Sequence, residues 1–112
     1  MARDFRKIRA WQLADDLTVA VYSATKRFPQ EETYGVTSQV RRAATSVPAN
    51  IVEGANRATK KAYAHFLNIA RGSLAETEYY LHLSKRLGYL TDAEYAELDG
   101  LRTLGAHTHH RR

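Results

Sequence analysis

The chain has 112 residues, 44% of them hydrophobic and 26% charged, a balance that fits one soluble globular core and is too apolar for a disordered chain. It contains no cysteine, which excludes a disulfide scaffold, a thiolate zinc site, an iron–sulfur protein and a cysteine nucleophile. Seventeen basic residues against 12 acidic ones leave a net charge of +5, which favours an anionic partner.

Arg3, Arg6, Lys7 and Arg9 open the chain without the apolar stretch of a signal peptide. No apolar run approaches the length of a membrane span, so a cytoplasmic location is expected. With two prolines and six glycines, punctuation is too sparse for the frequent turns of an all-β protein, and helices are the default. A first helix is predicted over about residues 8–28, where Trp11, Ala14, Leu17, Val21, Ala24 and Phe28 recur at steps of three and four on one face. Pro29 stops it.

A second helix is predicted over about residues 33–54, with Val36, Val40, Ala43, Ala44, Val47 and Ile51 on one side. Pro48 lies inside it and cannot donate to Ala44, so a kink is expected near that proline, two short helices being the alternative. Gly54 suits a left-handed C-terminal cap. Thr59 is the expected N-cap of the third and longest helix, about residues 59–87, which Gly88 ends.

That third helix carries two seams. Tyr63, Leu67, Ala70, Leu74, Thr77, Leu81 and Ser84 follow alternating steps of four and three, and Phe66, Ile69, Ser73, Glu76, Tyr80, Leu83 and Leu87 form a second such series. A helix apolar over so wide an arc should be covered from two directions, the second cover being another copy of the chain. Thr91 with Glu94 then makes a capping box for a fourth helix over about residues 92–104. Gly105 is expected to close it, leaving residues 105–112 as a polar tail. The expectation is one all-α domain over residues 1–112, an antiparallel up-down four-helix bundle.

Catalytic and metal-binding patterns are scarce. The Glu-x-x-His pairs of a di-iron bundle are missing, and Glu78 with His82 reads as a surface pair. His107, His109 and His110 could collect a metal adventitiously. Ser38, Ser46 and Ser73 lack a nucleophile context, and Gly72-Ser73 reads as a close packing point. Glu53 and Glu76 fall near apolar seams and are expected to pair structurally with Arg41, Arg42 or Arg71. No enzyme activity, cofactor or metal is expected.

The basic residues Arg41, Arg42, Arg57, Lys60, Lys61 and Arg71 could instead form one patch for nucleic acid, with Tyr63 stacking on unpaired bases. Segment charges of +3 over residues 1–12, +3 over 60–87 and −3 over 91–104 set a basic surface beside an acidic last helix. A solvated face and ordinary tyrosine packing explain the same residues without a ligand.

Several strings resemble one bacterial family, the "four helix bundle proteins" or 23S rRNA intervening-sequence proteins, which include the accessory variability determinant of diversity-generating retroelements. They are Asp4-Phe5-Arg6-Lys7-Ile8-Arg9-Ala10-Trp11-Gln12, Tyr34-Gly35-Val36-Thr37-Ser38-Gln39-Val40-Arg41-Arg42, Val47-Pro48-Ala49-Asn50-Ile51-Val52-Glu53-Gly54 and Phe66-Leu67-Asn68-Ile69-Ala70-Arg71-Gly72-Ser73. The resemblance implies an antiparallel four-helix protomer in a ring-shaped homopentamer without enzymatic activity. It also implies RNA or DNA, or a reverse transcriptase, as partners. Relatives carry a longer fourth helix than the one expected here, a departure that bears on assembly. The leading expectation is a non-enzymatic oligomeric scaffold that binds nucleic acid; the alternative is a protein-interaction adaptor docking a reverse transcriptase or similar partner.

Overall fold

A computed structural model of the protein describes residues 3–110, and among them it holds helices and no strand. A 3-10 turn at Phe5–Lys7 is capped by Asp4, whose Oδ1 accepts the Arg6 N–H at 3.1 Å. Helix α1 spans Arg9–Thr25 and ends three residues before the expected Phe28, because the residue before a proline is driven out of helical geometry. A second 3-10 turn, Gln30–Glu32, leads to α2, Val36–Ala55. Glu32 Oε1 accepts the first N–H of α2, from Val36, at 3.1 Å. A β-carbon at Gly35 would collide with that same oxygen, so the glycine makes room for the cap.

Helix α2 continues unbroken through Pro48, and the two-helix alternative does not form. Pro48 has no N–H for the Ala44 carbonyl, and Ala44 is fully buried. The Thr18 hydroxyl of α1 lies 3.1 Å from that oxygen and 2.8 Å from the Ala14 carbonyl. A neighbouring helix thus supplies the donor that the proline lacks.

The expected left-handed cap at Gly54 is not what this glycine does. Among the described residues Gly88 alone has a positive φ, +80°, while Gly54 lies within α2 at its crossing with α3, Lys60–Arg86. A β-carbon on Gly54 would stand 2.9 Å from Phe66 Cβ and 3.0 Å from Tyr63 Cδ1. Gly54 is therefore the close packing point that had been expected at Gly72, where an added β-carbon would meet nothing within 4 Å. Ser73 does pack as expected, sharing a 2.7 Å hydrogen bond with Ser46 across α2 and α3.

Thr59 caps α3, its Oγ1 accepting the Ala62 N–H at 3.1 Å. The Thr91–Glu94 box forms in both directions, at 3.1 Å to the Thr91 hydroxyl and 2.8 Å to the Glu94 carboxylate. Helix α4 then spans Asp92–His110, which corrects the expected end at residue 104 and the polar tail. Gly105 does not terminate the helix: it is buried in α4, with Leu74 of α3 at 3.7 Å from where its β-carbon would be. A terminating glycine needs the left-handed conformation, and packing against α3 holds this one helical. The side chains of His107, His109 and His110, and all of Arg111 and Arg112, lie outside the described residues.

Each helix packs on two neighbours, α1 on α2 and α4, and α3 on α2 and α4. Arg3 reaches Ala55, Tyr89 reaches Glu32, Arg27 pairs with Glu94 and Arg102 with Glu78, so neighbouring helices run in opposite directions. The core centres on Leu17, Val21, Val40, Val47, Ile51 and Leu81. Thr77 and Ser84 are fully buried with them and return their hydroxyls to the Ser73 and Tyr80 carbonyls at 2.8 and 2.7 Å, which removes the cost of burying them. The first seam of α3 fills the core. Of the second seam, Ser73 is buried but Ile69 and Leu87 remain 40% and 48% exposed and Glu76 lies in solvent.

Candidate nucleic-acid interface

The six basic residues singled out in the sequence do not gather into one patch. Arg57 sits in the turn between α2 and α3, and Lys60 and Lys61 open α3. Arg3, which sequence reasoning left out, joins them. Its Nη1 donates to the Arg57 carbonyl at 3.1 Å, and its backbone N–H donates to the Ala55 carbonyl at 3.1 Å. Arg57 pairs with Glu53 at 2.7 Å and covers the Phe66 ring at 4.8 Å. Among the described residues no ion pair engages Lys60 or Lys61. Arg71 lies eleven residues beyond Lys60, which places it on the same stripe of α3 about 16 Å further along.

Arg41 and Arg42 stand apart, about 20 Å up α2 from Arg57 by helical rise. Arg41 is half-buried against α1: its Nε donates to Thr25 Oγ1 at 2.8 Å and its guanidinium lies 4.6 Å from the centre of the Tyr22 ring. Arg42 is exposed and reaches only Gln39, at 3.4 Å. Both line a groove of about 830 Å³ between the end of α1, the 28–35 connection and α2. Lys26 and Tyr34 also line it, and neither was singled out in the sequence. What could have found them is the +3 charge that Lys26, Arg41 and Arg42 make once α1 and α2 are laid antiparallel.

The carboxylates follow other partners than expected. Glu53 pairs with Arg57 rather than with Arg41, Arg42 or Arg71, because a neighbour one helical turn away needs no tertiary contact. Glu76 is exposed, and Glu78 reaches Arg102 at 3.7 Å instead of His82. Tyr63, the expected base-stacking ring, is half-buried with the Arg3 guanidinium 4.2 Å above it, so that face is occupied.

Glu32 lies in the 28–35 connection but is not among the residues that line the groove. The Tyr89 hydroxyl donates to Glu32 at 2.7 Å. That bond, and next the Val36 N–H, hold the Glu32 carboxyl below the usual glutamate range, and the same carboxylate pushes the Tyr89 phenol up. At the start of α4 the Thr91 N–H, foremost, holds Glu94 below its ordinary range. Among the described residues no group of three or more histidines, cysteines, aspartates or glutamates is placed to hold a metal ion. No helix among them is long and apolar enough to cross a membrane.

The fold has a solved counterpart. The crystal structure of a protein with unknown function from the S23 ribosomal protein family of Bacteroides thetaiotaomicron VPI-5482 superposes with a TM-score of 0.83 at 25% identity, over 89% of this chain and 94% of that one. No curated protein matches the chain. A family model described as "23S rRNA-intervening sequence protein" matches residues 6–103. The matched stretch takes in α1, α2, α3 and α4 as far as Thr103, both basic clusters except Arg3, and the groove, and on it the chain belongs to the 23S rRNA-intervening sequence protein family.

Proposed function

We propose that the protein is a non-enzymatic, homo-oligomeric helical scaffold of the cytoplasm that binds RNA or DNA through basic surface. The observation that carries this reading is the cluster of Arg3, Arg57, Lys60 and Lys61 at one end of the bundle, where Glu53 is the one carboxylate paired with it among the described residues. Cations so placed release counterions on meeting phosphates and give salt-sensitive, sequence-tolerant binding. Association of copies is supported by the second seam of α3, where Ile69 and Leu87 stay exposed, and by α4 reaching His110. The family resemblance makes five copies the expected number.

Filter binding of a 16-base-pair RNA duplex across a salt series tests the reading. The double variant Lys60→Ala with Lys61→Ala should lower the slope of log affinity against log salt by about 1.8, close to one unit per lost phosphate contact. Wild-type protein that binds no nucleic acid, yet retains a defined protein partner, refutes this reading in favour of an adaptor.

A further inference from the structure

We infer that the groove between α1 and α2 is a second, distinct binding site, one that takes an unpaired stretch of nucleic acid and not a duplex. The inference rests on the nucleic-acid reading above and assigns the strand chemistry that one part of the surface reads.

Two observations converge on the groove. Lys26, Arg41 and Arg42 line it, and no carboxylate does; Glu32, the residue before the lining Thr33, accepts hydrogen bonds from the Tyr89 hydroxyl and the Val36 N–H. Three positive charges thus line a concave surface, an arrangement that favours anions, while the negative charges of Glu31 and Glu32 stay outside the lining. Second, Tyr34, which lines the same groove, is 95% exposed, whereas Tyr22 already carries the Arg41 guanidinium on one face. A tyrosine ring left in water beside cations offers a face to any base, whatever its identity, with phosphates held alongside. Bases within a duplex are already stacked and cannot use it.

The test uses full-length protein with two fluorescein-labelled probes, the single strand rU10 and a blunt 16-base-pair RNA duplex. Tyr34→Ala should weaken rU10 by about five- to a hundredfold, the range for losing one stacked base, and leave the duplex within twofold. Tyr34→Phe should restore rU10 binding. Tyr34→Ala protein that binds rU10 like wild type overturns the inference, and the nucleic-acid reading survives if the duplex still binds. A fall in the sedimentation mass of Tyr34→Ala would make the groove a subunit contact and also overturn it. Uridine monophosphate that displaces rU10 at equal nucleotide concentration would assign the groove to free nucleotides and overturn the strand assignment. Wild type that binds neither probe removes the inference and the reading together.

Discussion

The two ends of α2 are built for opposite purposes. Near its C-terminus the helix lies so close to α3 that a β-carbon on Gly54 would stand 2.9 Å from Phe66 Cβ. Near its N-terminus the same helix parts from its surroundings and opens a groove of about 830 Å³ lined by cations and hydroxyls. Between them stands Pro48, whose missing N–H is answered from α1 by Thr18. The contrast teaches that one amphipathic pattern can lock a helix at one end and leave chemistry free at the other. Each end holds one tied and one freer arginine or lysine: Arg57 is paired with Glu53 beside Lys60, which has no ion pair among the described residues, and Arg41 is bonded to Thr25 beside Arg42, which reaches only a glutamine.

The largest expected effect comes from attacking the locked end. Gly54→Ala forces its new methyl against Phe66 Cβ and Tyr63, and we expect a loss of about 1–3 kcal/mol in urea unfolding. If it is neutral, α2 and α3 are not held together by close approach at that point. Next is Thr18→Val, which leaves the Ala44 carbonyl without its donor and should cost about 1–2 kcal/mol. In a Pro48→Ala background the helix can satisfy that carbonyl itself, so the same change should cost clearly less. Equal costs in both backgrounds would show that Thr18 acts through something other than the proline.

Gly72→Ala is the control for Gly54. The position is exposed, inside α3, and free of neighbours, so the alanine should stabilise the protein by about 0.5–1 kcal/mol. Opposite signs at the two glycines sharpen the comparison; equal signs break it. The smallest effect lies at the open end, on its acid side. Glu32 and Glu94 are held below their unfolded values, so their contribution is present above the ordinary glutamate range and is lost as pH falls through the lowered values. Stability measured from pH 6 down to pH 3 should decline less steeply in a Glu32→Gln, Glu94→Gln variant than in wild type.

Signals that act within one turn of chain were legible in the sequence. The Thr59 cap, the Thr91–Glu94 box and the end of α3 before Gly88 each depend on residues at most four apart, and each forms as expected. The periodicity of α3 likewise separated a seam that became core from one that stays partly in solvent. Glycines were misread where local and tertiary roles compete. Gly54 and Gly105 look like helix terminators by position, but one makes room for Phe66 and the other lies against Leu74. The candidate site was half legible: the cations could be counted, but not how they divide. Arg3 is 54 residues from Arg57, and Lys26 is 15 from Arg41, so no spacing rule connects them.

Composition and periodicity by themselves determined an all-helical chain, its four helices, the two ends of α3, the start of α4 and an excess of positive charge, because each follows from backbone geometry and side-chain type over short distances. Only the tertiary structure decided which glycine is a contact and which is free, that α1 answers the proline of α2, and that the basic residues separate into a bundle end and a groove. Those outcomes depend on the distance between helix axes and on which ends meet, quantities set by packing of side chains far apart in the chain.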